Sequence, residues 1–340
     1  MKHLSVLGLL TLAGLLNVTG NATSANPTAT PTVQGTTQLS GQNASVGQTF
    51  TIGKTSPLNF TLTSAEYSVG RLEIGSNVWL PKANEKLLIL RFTIQNPQAR
   101  EVGYYWGDVK FTAVDAQDRN YEGASAIARS GTTEALRVTL KPAQKVDVTT
   151  VLVVPAAGSI PKLIVQRSTD SGVLRYALNG SVKGLTAPFA DPTDLSGATA
   201  LETVPVTPGT FVPLGEYDVR LDTLETTGDL IQNKSPKAGY TFFTAVFTLK
   251  NPLKRPINYY WGNFDATLRD TDGDTVAYNK VMLKATKDES ATGTLRPGEN
   301  ARIRFYFEIA DGVQADQIML NDRRARTYAF SARPENPSVR

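Results

Sequence analysis

The chain has 340 residues, with 35 lysine and arginine residues against 31 aspartate and glutamate residues, and a formal net charge of +4. This near balance argues against a nucleic-acid partner, because such partners usually require a strongly basic face. Cysteine is absent and His3 is the one histidine, which excludes Ser-His-Asp and Cys-His catalysis, and zinc sites of thiolate or imidazole, from the rest of the chain.

Residues 1–25 are predicted to be a secretory signal peptide. Lys2 precedes an apolar run from Leu4 to Leu16, and small polar residues follow as far as Ala25. This run is shorter than the roughly 20 residues that cross a bilayer, so no membrane span is predicted. Without cysteine there is no lipid anchor on a thiol. We expect an exported protein of the periplasm, cell envelope or cell surface.

Residues 26–55 are predicted to be a flexible, low-complexity linker. No charged residue occurs from Asn21 to Gly53, and the stretch is rich in small polar side chains. Such a composition buries too little apolar surface to offset the entropy lost on ordering. The exception is TFTI at Thr49 to Ile52, whose alternation suggests a first strand.

Two domains, residues 56–180 and 211–332, follow as copies of one another. At a shift of 155 residues, NPQAREVGYYWGD from Asn96 aligns with NPLKRPINYYWGN from Asn251. Copies of this length indicate tandem domains, because solenoid repeats are far shorter. Residues 181–210, which are rich in proline, are predicted to be an interdomain linker, and residues 333–340 a C-terminal tail.

Alternation of apolar and polar residues predicts half-buried strands in both copies. The apolar rows are Leu88, Leu90, Phe92 and Ile94 in the first copy and Phe243, Ala245, Phe247 and Leu249 in the second. Further strands are predicted at 109–114, 146–153, 163–166, 264–269, 301–307 and 318–320. Many short strands without an amphipathic helix predict an all-β protein of two tandem immunoglobulin-like β-sandwich domains, after a signal peptide and disordered linker.

The second copy carries the signals "FDATLRDTDGD" from Phe264, "LRPGE" from Leu295 and "RIRFYFEIA" from Arg302, after a strand that ends in Asn-Pro. This order resembles the telokin-like, immunoglobulin-fold family of secreted bacterial proteins, a domain of unknown function. The resemblance covers both copies. It implies an exported β-sandwich with no established catalytic residue.

The repeated YYWG motif supplies the candidate ligand-binding residues Tyr104, Tyr105, Trp106, Tyr259, Tyr260 and Trp261. Aromatic rings can stack on sugars, bases or flat apolar ligands. In a strand the first tyrosine and the tryptophan of each motif would share one face. The favoured interpretation is that both tryptophans fill the sandwich cores, as buried aromatics commonly do. A paired binding surface is the alternative.

The turn DTDGDT supplies candidate metal ligands at Asp270, Asp272 and Asp274. Calcium prefers several carboxylate oxygens on one loop. The spacing disagrees with the helix-loop-helix calcium motif, because glycine stands fourth where that motif has it sixth, and Val281 stands where a bidentate glutamate belongs. No cofactor is therefore expected, and calcium is the less favoured alternative.

The leading functional hypothesis is a non-catalytic structural or interaction subunit of a cell-envelope or cell-surface assembly. Its partners would be envelope or surface-layer proteins or a second copy of the chain, with no nucleic acid. A ligand-binding module for glycan, peptidoglycan or an apolar ligand, with paired YYWG sites, is the alternative. A metal-dependent surface enzyme using carboxylates such as Asp115, Asp118 and Glu122 is less favoured, because glycosidic chemistry needs two carboxyls held across a cleft.

Overall fold

The computed structural model describes residues 41–167, 172–323 and 326–333. In these ranges the chain forms strands and two short 3-10 helices, and no α-helix. None of the helical segments in the described ranges has the length and hydrophobicity needed to cross a membrane. The predicted all-β class is confirmed. The predicted signal peptide and the residues up to 40 lie outside the described ranges, as do residues 334–340.

The first copy forms sandwich 1. Its strands are β1 (Gly41–Ala44), β2 (Thr49–Ile52), β3 (Leu58–Ser68), β4 (Leu72–Ile74), β5 (Asn77–Trp79), β6 (Glu85–Gln95), β7 (Val102–Tyr104), β8 (Val109–Val114), β9 (Asn120–Glu122), β10 (Ala128–Arg129), β11 (Val138–Leu140), β12 (Lys145–Pro155), β13 (Lys162–Arg167), β14 (Val173–Ala177) and β15 (Val182–Lys183). One sheet has the order β1-β14-β13-β8-β9. The facing sheet has the order β10-β12-β6-β3-β15, with β2 also paired to β3.

The second copy forms sandwich 2. Its strands are β16 (Thr203–Val206), β17 (Val212–Leu214), β18 (Tyr217–Thr227), β19 (Tyr240–Lys250), β20 (Ile257–Tyr259), β21 (Asp265–Asp270), β22 (Thr275–Ala277), β23 (Leu283–Lys284), β24 (Lys287–Ser290), β25 (Gly293–Leu295), β26 (Asn300–Ala310), β27 (Ala315–Asn321) and β28 (Thr327–Ser331). Its sheets have the orders β16-β28-β27-β21-β22 and β17-β18-β19-β26-β23-β24. The strand orders of the two sandwiches correspond, except that β15 occurs in sandwich 1 alone and β24 in sandwich 2 alone.

Each sandwich has its own core, built from the predicted apolar rows. Leu88, Leu90, Phe92 and Ile94 on β6 are buried with side chains from the facing sheet, and the row on β19 is buried in the same way. Phe92 lies between Phe60 and Phe111, with ring centroids 5.2 and 5.1 Å away. Burial of apolar surface in these cores stabilises the fold by about 25 cal/mol per Å².

The start of each sandwich differs from the sequence-based boundaries. β1 and β2 lie within residues 26–55, so the predicted flexibility is wrong for residues 41–52, while TFTI is confirmed as a strand. β16 likewise lies within residues 181–210. β1 pairs with β14 and β16 pairs with β28, both in parallel register. β1 is polar and largely exposed, so it is held mainly by backbone pairing, which leaves little trace in hydrophobic alternation. β16 also buries Val204 and Val206 in the core of sandwich 2.

The predicted interdomain linker is also ordered. β15 pairs with β3, and Asp194 makes an Asx turn in which its carboxylate accepts from the backbone amides of Ser196 and Thr199 at 3.0 and 2.8 Å. Hydrogen bonds from the side chains of Ser196 and Thr199 lower the pKa of Asp194 to about 2. Turn chemistry and the burial of small apolar side chains, Ala198 and Ala200, together set the path of this segment.

Two arginines, the partly buried Arg71 and the buried Arg326, join the sandwiches. Arg71 of sandwich 1 donates to the Asp218 carboxylate at 2.7 Å and to the Gly215 carbonyl at 3.2 Å. Arg326 of sandwich 2 donates to the carbonyls of Glu85 at 2.5 Å and Lys82 at 3.3 Å in sandwich 1. The guanidinium groups thereby use backbone carbonyls of the other sandwich as acceptors.

Candidate functional site

The two YYWG motifs form a pair of equivalent 3-10 turns. We call Tyr105–Asp108 the first aromatic turn and Tyr260–Asn263 the second; their helical parts are Trp106–Asp108 and Trp261–Asn263. In the first, the Asp108 carboxylate accepts from the Tyr105 amide at 2.8 Å. In the second, the Asn263 side-chain oxygen accepts from the Tyr260 amide at 2.9 Å. A short polar side chain three residues on thus closes each turn, as in helix capping.

The rings at these turns are solvent-exposed. The exposed fractions are 45% for Tyr105, 49% for Trp106, 48% for Tyr260 and 43% for Trp261. The interpretation of both tryptophans as core residues is therefore wrong. The chain leaves the strand after the first tyrosine of each motif, so strand alternation does not apply beyond it. Only Tyr104 is fully buried, and Tyr259 is half-buried against its core.

A buried asparagine precedes each turn and fixes the chain that leads to it. The Asn96 amide donates to the carbonyls of Arg100 and Leu140 at 2.7 and 2.9 Å. Asn251 donates to the carbonyls of Arg255 and Leu295 at 2.8 and 2.9 Å. Buried amide groups need such partners. The asparagine of the Asn-Pro signal therefore fixes the segment before each aromatic turn to the neighbouring strand.

Each tyrosine ring lies over the glycine of its own turn. A methyl group at Gly107 would lie 2.7 to 2.9 Å from the Tyr105 ring and its hydroxyl, and one at Gly262 would meet the Tyr260 ring. The Tyr105 and Trp106 rings are in edge-to-face contact, with centroids 5.9 Å apart. The glycines therefore allow the tyrosine rings to fold back against the backbone, which reduces their freedom.

Gly107→Ala is expected to displace the Tyr105 ring and weaken the near-UV circular dichroism of Tyr105 and Trp106, because this signal depends on a fixed environment of the rings. The free energy of unfolding should change by less than about 1 kcal/mol, because the displaced ring is largely in solvent. Gly103→Ala is the control, since a methyl group there would meet nothing within 4 Å. An unchanged near-UV spectrum for Gly107→Ala would show that the ring is not held by this contact.

Two clefts flank the first aromatic turn. One, of about 360 Å³, is lined by residues that include Tyr105, Asp108 and Arg137. The other, of about 210 Å³, has Trp106 at its wall with Lys110 and Glu122, which form an ion pair at 2.8 Å. The larger is of the size at which small-molecule sites begin, about 300 Å³.

The predicted metal ligands do not converge. The Asp270 carboxylate accepts from the backbone amides of Asp272 and Asp274 at 3.0 and 2.8 Å, so it organises the turn rather than facing the other two carboxylates. Among the residues that the structure describes, no group of three or more acidic or histidine side chains could hold a metal ion. Calcium at this turn stays an untested prediction without geometric support.

The carboxylates of the corresponding turn in sandwich 1 are also engaged. Burial alone would raise the pKa of Asp115, but hydrogen bonds from the Arg119 backbone and side chain and from Tyr121 lower it to about 2. Asp118 pairs with Lys162 at 2.8 Å. A permanently ionised, paired carboxylate is a poor general acid, because a general acid must be protonated near neutral pH.

Sequence reasoning missed the exposure of the turns and the position of Arg137 beside Tyr105. The available signal was the residue after each YYWG, because Asp108 and Asn263 are typical capping residues of a turn and interrupt a strand. Arg137 lies far along the chain from the motif, and its position beside Tyr105 follows from the pairing of β11 with β7.

No family model matches the chain, and no curated protein matches it. Solved structures do resemble it. An uncharacterised β-sandwich protein of Clostridium difficile 630 is 15% identical, over 42% of this chain and 98% of that one, with a TM-score of 0.33. The secreted protein MPT63 of Mycobacterium tuberculosis is 15% identical, over 38% and 97%, with a TM-score of 0.30. The yjhA protein of Bacillus subtilis is 12% identical, over 37% and 98%, with a TM-score of 0.26.

These similarities concern the fold alone. The matches cover nearly all of each neighbour and 37% to 42% of this chain. Membership of the telokin-like family stays a prediction.

Proposed function

We propose that this protein is a non-catalytic, bivalent binding module of the cell envelope, in which the two aromatic turns bind sugar rings of an envelope glycan. The observation that carries the proposal is the exposure of Tyr105, Trp106, Tyr260 and Trp261 on two equivalent, hydrogen-bonded turns. Clustered exposed apolar side chains are uncommon on a folded protein, and they mark interaction sites.

The chemistry of the rings suits saccharides. The C–H face of a pyranose packs on an aromatic ring, and tyrosine and tryptophan combine this apolar contact with a polar group for the hydroxyls. Tyrosine and tryptophan also dominate binding energy at interfaces. Two sites on one chain raise the apparent affinity for a polymer by about 10² to 10⁴ when both can engage it.

The test compares a short and a polymeric ligand. We expect Trp106→Ala or Trp261→Ala to weaken binding to soluble peptidoglycan glycan strands by at least about tenfold, through loss of bivalency. For chitotetraose, each single variant should lose one of two sites without changing the affinity of the other. Titration calorimetry measures both the number of binding sites and their affinity. The double variant should not bind.

Trp79→Phe is the matched control, because Trp79 is half-buried and packs on an apolar cluster of sandwich 1. It should leave both titrations unchanged. Wild-type protein that binds neither ligand, or a double variant that binds like wild type, would refute the proposal.

An interaction subunit is the second candidate, favoured by the open edges of sandwich 1. Within the described chain, β1 and β2 are edge strands without a charged residue or proline. Their counterparts β16 and β17 carry Pro205 and Pro213, which block further pairing. If a partner's strand docks at β2, Thr49→Lys/Thr51→Lys should release the protein that co-purifies with tagged wild type from the envelope, whereas Thr226→Lys should not.

A further inference from the structure

The larger cleft at the first aromatic turn contains a positive charge without an ion-pair partner among the described residues. Arg137 is exposed at its edge, beside Tyr105 and Thr139. Among the described residues, no carboxylate or hydrogen-bond partner contacts its guanidinium. An exposed arginine often lacks a partner, so the lack of one does not by itself indicate a binding site. The other charges in the cleft determine whether the charge of Arg137 is balanced.

The acidic side chain that lines this cleft is already engaged. The Asp108 carboxylate accepts from the Tyr105 amide at 2.8 Å and lies 3.5 Å from the buried guanidinium of Arg167. Its side chain is only 16% exposed. Asp108 and Arg167 therefore offset one another, and Arg137 leaves the cleft with a net positive charge.

The second aromatic turn lacks this charge. Tyr104 pairs with Val138 in sandwich 1 and Tyr259 pairs with Gly293 in sandwich 2. The residue before this partner is Arg137 in the first case and the neutral, exposed Thr292 in the second. The two sandwiches thus share the aromatic platform, and only the first has a cation at this position beside it.

We propose that the cleft at the first aromatic turn binds an acidic saccharide unit, with its ring on Tyr105 and its carboxylate or phosphate on Arg137, whereas the second turn takes a neutral unit. This inference rests on the proposed function, since it assigns the ligand class of one of its two sites. The planar fork of arginine donors matches both anionic groups in two parallel hydrogen bonds.

The test uses pairs of ligands that share one sugar backbone and differ in their charged groups. We expect trigalacturonate to bind the wild type about tenfold more tightly than its trimethyl ester at low salt, and the difference to shrink as ionic strength rises. Arg137→Ala should remove this difference and leave ester binding unchanged. Lys183→Ala, which removes an exposed cation elsewhere on sandwich 1, should have no effect. Maltotriose and its 6-phosphate form the second pair and show whether phosphate is accepted.

A gain of function completes the test. In the Tyr105→Ala/Trp106→Ala background, Thr292→Arg should confer preference for trigalacturonate on the second turn. Equal binding of acid and ester by the wild type, or an acid preference that survives Arg137→Ala, would refute this inference while the binding proposal stands. If the wild type bound no member of either ligand pair, this inference would fail, and the binding proposal would fail with it only if glycan strands and chitotetraose also did not bind.

Discussion

Lys86→Met is expected to destabilise the protein by about 3 to 5 kcal/mol, because a buried polar network would lose its donor. The Lys86 side chain is fully buried, and its ammonium donates to the carbonyls of Ala156 at 3.1 Å, Gly158 at 2.6 Å and Ala198. It also lies 4.4 Å from the centre of the Tyr67 ring. Methionine keeps most of the volume but leaves buried carbonyls without a donor, at about 1 to 3 kcal/mol each before relaxation.

Chemical denaturation measures this loss. Lys145→Met is the control, because Lys145 is exposed at the start of β12 in the same sandwich, and surface substitutions usually stay within about 0.5 kcal/mol. A Lys86→Met protein as stable as wild type would mean that the three carbonyls find water or other donors.

The same residue predicts a pH dependence. Burial lowers the pKa of Lys86 from 10.5 to about 8, with Asp194 opposing this shift and Arg326 adding to it. Between about pH 8 and 10.5 the unfolded chain binds the proton more readily than the folded one, so stability contributed by this group rises with pH there. The difference in unfolding free energy between wild type and Lys86→Met should therefore grow as pH increases across this window.

Arg326→Met is expected to cost about 3 kcal/mol and to uncouple the two sandwiches, because buried acceptors at their joint would lose a charged donor. Arg326 is 2% exposed, and burial lowers its pKa. Besides its bonds to sandwich 1, its Nε donates to the Leu201 carbonyl at 2.7 Å in the connecting segment. Methionine would leave all of these carbonyls without this donor.

Calorimetry should then resolve two unfolding transitions in place of one, because cooperativity between domains depends on their interface. Arg333→Met is the control: its ion pair with Asp316, at 2.7 Å, lies at the surface and surface pairs contribute about 0 to 1 kcal/mol. A single, unshifted transition for Arg326→Met would contradict a joint held by this residue.

Much of the fold follows from local pattern. The apolar rows of β6 and β19 are predicted residue by residue, because strand alternation needs only neighbouring positions. Lys86 lies two residues before Leu88, on the core-facing side of β6. A charged residue in an apolar row is visible in the sequence, but the sequence does not show which groups surround it. Its acceptor on Ala198 is 112 residues away.

The sequence alone determined the all-β class, the duplication and the lack of imidazole and thiol chemistry in both sandwiches, since each depends on composition or short-range order. Tertiary structure decided which aromatic rings reach solvent, where each sandwich begins, and what surrounds Arg137. Many of the contacts that the tertiary structure adds, such as those of Lys86 and Arg326, are made to backbone carbonyls, and these are identical at nearly every residue. Which ones meet a given side chain is therefore settled only when distant strands pair.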